Sequence, residues 1–169
     1  MALENHPLPI HNFRIKKLKS LLAIVENSAK GENYLFRNLY ADENGKEIDV
    51  FENGKTACCG HISWILLALE LIEHPHASVF GLEKDLINSG WHEIKELKPG
   101  VIIIWEEKVA DSGLQGEKGV KLSHAGFYIG KEQAISNDSK GTGFPHKHHY
   151  TYNGTRKIKK IYWHPALDH

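Results

Sequence analysis

The spacing of apolar residues changes near the middle of this chain, and that change limits the folds open to it. Before Gly90 apolar side chains recur at helical intervals; after Gly100 they alternate or run together as in strands. Phe13, Ile15, Leu18, Leu22 and Val25 mark a helix over residues 12–30, with Gly31 as its stop. Ile62, Ile65, Leu66, Leu69 and Ile72 mark a second helix over 58–73, ended by His74-Pro75, because the residue before a proline is pushed out of the helical region. Residues 82–90 predict a short third helix closed by Gly90. The intervening stretch 32–55 is polar, carries Asn44-Gly45 and Asn53-Gly54, and reads as loop with turns and room for a short strand. Strands follow at 101–105 and 158–163, with a hairpin of 123–129 and 133–137 about a short turn. Helices first and strands after predict an α+β fold, with the N-terminal helices packed against one face of an antiparallel sheet. The 169 residues suit one domain over 1–169, without repeat or linker.

Charge excludes some functions. Lys plus Arg number 21 and Asp plus Glu 21, so no net field draws the chain to nucleic acid or to an anionic membrane. The longest apolar stretch, residues 62–72, is too short to span a bilayer. The first residues show no basic segment followed by an apolar run, so the expected location is cytoplasmic, unless a dedicated system exports the protein or lysis releases it. Cys58 and Cys59 are adjacent, a spacing that strains a disulfide ring, so no disulfide framework is expected.

Cys58 stands at the start of the second helix, where free N–H groups lower a thiol pKa and favour the reactive thiolate. At about 100° per residue it lies within the stripe of Ile62, Ile65 and Leu69, whereas Cys59 is turned to the flank. A buried free cysteine is also simply a small apolar residue. His124 adds the second element. Ser-His-Ala-Gly-Phe-Tyr-Ile-Gly alternates, so His124, Gly126 and Tyr128 share a face, and Gly126 leaves room beside the imidazole. If the second helix packs on that face, thiol and base meet. A base histidine needs a third polar group to fix its orientation. If Gly130 lies opposite Gln133, Gly126 faces Asn137; a slip of one residue brings Ser136 there instead. Asn137 is preferred, because an amide oxygen accepts the imidazole N–H with defined geometry.

At these residues the chain resembles the NlpC/P60 family of cysteine peptidases, within the papain-like group. Ala57-Cys58-Cys59-Gly60 resembles the family's Asp-Cys-Ser-Gly motif. The run Leu-Lys-Pro-Gly-Val-Ile-Ile-Ile-Trp from Leu97 to Trp105 resembles its Leu-Lys-Pro-Gly-Asp strand entry. His-Ala-Gly-Phe-Tyr-Ile-Gly from His124 resembles its His-Val-Gly-Ile-Tyr-Leu-Gly strand. The resemblance covers roughly residues 56–138 and implies a papain-like core, Cys58 as nucleophile and His124 as base. The family's third residue, usually histidine, falls on Ser136 without a gap or on Asn137 with one insertion. Ala57 and Val101 stand where the family commonly has aspartate, and neither Tyr34 nor Tyr40 sits in a motif matching the family's substrate-contacting tyrosine. The implied reaction is hydrolysis of an amide through a thioester, on a peptide or peptidoglycan fragment, with no cofactor.

Three other readings remain open. One is an amidase, deamidase or acyltransferase acting on a substrate outside the cell wall. Another is an inactive binding module of the same fold. The last is a metal site at His146, His148 and His149 or at Cys58, Cys59 and His61, although neither group has the paired spacing of structural zinc.

Overall fold

Cys58–Ala68 forms a helix that is apolar on nearly every side, and such a helix must be covered all round. The computed structural model, which describes residues 14–109 and 121–169, does this with three partners. Lys17–Ser28 (α1) contributes Leu21 and Val25; Cys58–Ala68 is α2; Val79–Asn88 (α3) contributes Leu82 and Leu86. The third partner is an antiparallel sheet. The fold is therefore α+β, as the order of periods predicts. Positions 12 and 13 of the first expected helix lie outside the described residues.

The helix ends are set by local chemistry. Ser78 accepts the Gly81 N–H and caps α3, which begins three residues earlier than expected. α2 stops well before His74-Pro75. Glu70 takes a positive φ of 55°, and the Leu71 N–H donates back to the Leu66 carbonyl. This turn drives Leu71 and Ile72 into the core. The Asp85 carboxylate then accepts the Glu73 and His74 N–H groups, together with His76 Nε2 and Ser89 Oγ. The proline thus follows an end already made by core burial.

Asn44-Gly45 closes a hairpin of Tyr40–Glu43 (β1) and Lys46–Asp49 (β2), a two-stranded sheet in the stretch expected to be mostly loop. Both turn residues have positive φ, as a two-residue turn between twisted strands requires. The main sheet holds His92–Glu93 (β3), Ile102–Val109 (β4), Lys121–Gly130 (β5), Gln133–Asn137 (β6), Pro145–His149 (β7) and Ile158–Trp163 (β8), in the order β3-β8-β4-β5-β6-β7. β4 sits inside the sheet and is fully buried over Ile102, Ile103, Ile104 and Trp105. β7 lies at the edge. No helix among the described residues is long and apolar enough to cross a membrane.

His61, one turn into α2, has no exposed surface. Ser28 Oγ donates to the Val25 carbonyl, so at 2.8 Å it accepts from His61 Nε2. The ring lies edge-on to Phe36 and Phe127. Burial, with the nearby His124, pushes the His61 pKa down to about 3. The unfolded chain therefore takes up this proton near its usual 6.5 while the folded one does not. The stability tied to neutral His61 is complete above that value and is lost as pH falls toward about 3. The expected loss from this residue between about pH 6.5 and 5 is roughly 2 kcal/mol in urea titrations. His61→Gln, which keeps a donor toward Ser28 but does not titrate, should flatten that dependence by about one proton. An unchanged slope would contradict the assignment.

Candidate active site

The approach to Cys58 is built by the turn after β2. Asp49 accepts the Leu39, Phe51 and Asn53 N–H groups and the Asn38 amide. Burial opposes its ionisation, but these donors prevail and hold its carboxyl below the usual range. The pinned turn drops the Phe51 ring onto the first turn of α2. A Cβ added to Gly60 would stand 2.2 Å from that ring, so glycine is what lets the helix start lie beneath it. No side chain caps α2 at Ala57, which leaves its first N–H groups free of side-chain acceptors.

Thiol and imidazole come together by a route the sequence did not suggest. Phe127 and His124 stand on opposite pleats of β5, and α2 lies on the Phe127 side, as the His61–Phe127 ring contact at 5.9 Å records. The helix therefore does not cover the face of His124. Pairing of β5 with β6 instead ends at Phe127 opposite Ile135, and beyond it the Ala125 N–H faces the Cys58 sulfur and helps to lower its pKa. Cys58 reaches the imidazole from the helix end, where the two strands part. Both residues are nearly buried, at 9% exposure for Cys58 and 7% for His124. Cys59, expected on the flank of the helix, is buried too, with its Sγ 3.9 Å from that of Cys58. The Cys59 thiol as donor, then His124 and the Ala125 N–H, outweigh burial and hold the Cys58 pKa well below its ordinary range. Cys59, facing that thiolate in a buried site, is pushed the other way.

The preference for Asn137 beside His124 is corrected. Gly130 does stand opposite Gln133, but a bulge between Tyr128 and Gly130 takes up one residue. Tyr128 then faces Ala134 and Phe127 faces Ile135, which brings Ser136 to the His124 side. Ser136 Oγ lies 3.0 Å from His124 Nε2. Asn137 points to the other pleat, where its amide donates to the Gly54 carbonyl and its Oδ1 is buried without a partner among the described residues. It ties the Cys58 loop to β6 instead of orienting the base. The room expected beside Gly126 is filled: a Cβ there would stand 2.7 Å from Ser136 Cβ and 2.9 Å from the Trp105 ring.

Sequence reasoning missed three neighbours of His124. Trp105 stacks on it at 5.5 Å and 26°, held by its own N–H on the Tyr150 carbonyl. Tyr152 OH and His148 Nε2 each lie 2.8 Å from Ser136 Oγ. The one sequence signal was the alternation of His146 and His148, which puts both on a single face of a strand. The three nearby histidines do not converge. His146 donates to the Ser136 carbonyl, while His149 Nδ1 accepts from Thr151. Among the described residues no set of three metal-ligating side chains comes together. A cavity of about 270 Å³ lined by Ile24, Phe36, Trp64, Ile65 and Ala68 contains none of these groups and no nucleophile.

Two measurements follow. Alkylation of Cys58 should stay fast well below the usual thiol range, since the thiolate persists until pH drops through its lowered pKa. It should slow about tenfold or more at neutral pH in His124→Ala, with Cys59 unreactive until the protein is denatured. Equal, slow labelling of both cysteines would remove the case for a nucleophile. Gly60→Ala should cost about 1–3 kcal/mol in urea midpoints through overpacking against Phe51; a neutral change would show that the ring moves freely. Compared with known proteins, the chain matches no family model, no curated protein and no solved structure.

Proposed function

We propose that the protein is a cysteine hydrolase of the papain-like kind that cleaves an amide bond. The observation that carries this reading is the Cys58 thiol at an uncapped helix start, held well below its ordinary pKa and adjoining an imidazole whose far nitrogen meets Ser136. In the proposed sequence the Cys58 thiolate attacks the carbonyl carbon, and N–H groups at the start of α2 stabilise the oxyanion. Protonated His124 gives its proton to the leaving amine, and the C–N bond breaks to leave a thioester on Cys58. His124 then takes a proton from water, which attacks the thioester and restores the thiolate.

A peptide bond of a peptidoglycan fragment is the substrate that the NlpC/P60 resemblance implies. Ala57 and Val101 depart from that family's pattern, so a different amide or a thioester is the competing substrate class within the same chemistry.

The test has two arms. Purified peptidoglycan fragments and a generic amide or thioester reporter are incubated with the protein, and products and intact protein mass are followed. A Cys58 acyl adduct and turnover are expected. Turnover should be lost by at least about a thousandfold in Cys58→Ala and reduced by about a hundredfold or more in His124→Ala. Release from the reporter alone assigns a substrate outside the cell wall. Neither turnover nor adduct with any of them would make the protein a binding module that keeps the fold.

A further inference from the structure

Ser136 has one proton to give and three neighbours within hydrogen-bond distance. His124 Nε2 lies at 3.0 Å, His148 Nε2 at 2.8 Å and Tyr152 OH at 2.8 Å. A hydroxyl donates once and accepts twice, so the three contacts can all be made in only a few ways. His148 selects among them. Its Nδ1 lies 2.9 Å from the His149 carbonyl, which can only accept, so Nδ1 carries the hydrogen. Burial, followed by the neighbouring imidazoles of His146 and His124, holds His148 neutral at ordinary pH, with its pKa lowered to about 4. A neutral imidazole with hydrogen on Nδ1 has a bare Nε2. Of the three neighbours of Ser136, His148 Nε2 is therefore the one that must accept.

The remaining directions follow. The Ser136 O–H donates to His148, and its two lone pairs accept from Tyr152 O–H and from His124 Nε2–H. With hydrogen on Nε2, a neutral His124 ring has a bare Nδ1, the nitrogen not engaged by Ser136. We propose that His148 is the terminal positioning residue of the Cys58–His124 pair: through the Ser136 hydroxyl it keeps hydrogen on His124 Nε2, so that Nδ1 is the nitrogen that exchanges the proton with Cys58. This rests on the reading of Cys58 and His124 as nucleophile and base. It places a histidine in the third role one strand farther away, on β7, with a serine between.

The surroundings fit a fixed rather than a mobile ring. His148 stacks on Tyr152 at 4.0 Å and 20°, and its ring lies 5.7 Å from that of Trp105. Tyr152 is itself held protonated, its pKa pushed by burial up to about 12, so it remains a donor to Ser136. Without His148 as acceptor, the Ser136 proton is free to turn toward His124 Nε2. That arrangement favours hydrogen on His124 Nδ1, which is the wrong form for a base.

The tautomers are read directly from ¹⁵N chemical shifts of the histidine rings in the wild-type protein at neutral pH. His148 should carry hydrogen on Nδ1 alone and His124 should keep hydrogen on Nε2, with Nδ1 bare whenever Cys58 holds the shared proton; a bare His124 Nε2, or hydrogen on His148 Nε2, overturns the proposal without any variant. His148→Leu should then mix the His124 tautomers and slow Cys58 alkylation about tenfold or more. His148→Gln, whose amide oxygen can accept from Ser136, should restore both readouts. Ser136→Ala should match His148→Leu, and the double variant should be no slower than either single one. An unchanged His124 tautomer in His148→Leu, or a Gln variant as impaired as Leu, overturns the proposal. The tautomer measurement needs no substrate. A wild-type protein that hydrolyses nothing therefore counts against the hydrolase reading, while the shifts still decide the relay.

Discussion

Everything proposed for this molecule depends on one packing constraint, the burial of the start of α2 against the open end of the β5–β6 pair. A helix beginning normally sits at a surface, where water satisfies its free N–H groups. Here Ala57, Cys58, Cys59 and Gly60 are all buried. Phe51 lies across the first turn, and Asn137 ties the preceding loop to β6 through the Gly54 carbonyl. The constraint places a thiol in a region of low dielectric, where each donor counts for more than it would in water. It also explains why a sulfur on the helix side of the sheet meets an imidazole on the other side. The strands separate there, and the Ala125 N–H, with no strand partner on β6, turns to the sulfur.

Much of this arrangement was legible in the residues. The apolar residues Ile62, Ile65 and Leu66 located α2, which begins at Cys58 as expected. Strand alternation put His124 and Gly126 on one face, and both stand there in β5. Other features depend on contacts between segments that no local pattern records. The bulge between Tyr128 and Gly130 changes the partner of His124 from Asn137 to Ser136, and nothing in Phe-Tyr-Ile-Gly distinguishes the bulged residue from a regular one. α2 ends at Ala68, with Glu70 in a left-handed turn just beyond, because Leu71 and Ile72 are needed in the core, a tertiary demand that overrode the proline signal. β7 was invisible because Pro-His-Lys-His-His has no apolar alternation to mark it.

That last omission has a physical cause that bears on function. An edge strand exposes unpaired backbone groups, and proline and charge along it discourage pairing with another chain. The Pro145 and Lys147 of β7 fit this role. Polar composition suited to an edge hides the strand from hydropathy reading, and the same composition lets it present imidazoles to the adjacent β6. His146 and His148 both use the neighbouring Ser136, one at its carbonyl and the other at its hydroxyl.

The electrostatics of the site differ from a cysteine–histidine pair braced by a carboxylate. The group at His124 Nε2 is a neutral hydroxyl, which directs the ring but adds no negative charge. A carboxylate would favour the imidazolium by direct attraction; a hydroxyl leaves that task to the thiolate beside it. Arg156 interacts weakly with the site at longer range. Its Nε and one terminal nitrogen bind the Glu106 and Leu122 carbonyls rather than a carboxylate. Burial lowers its pKa, while interaction with Tyr152 and then with Cys58 opposes that shift. A partly buried cation held by carbonyls is stabilised by an anion nearby, and the Cys58 thiolate is one. The Cys58 thiolate thus draws its stabilisation from the Cys59 thiol, then the His124 imidazole and the Ala125 N–H, and the pair takes its geometry from neutral hydrogen bonds. In such a site the direction of each neutral hydrogen bond matters more than its strength, because no fixed negative charge holds the base in its tautomer.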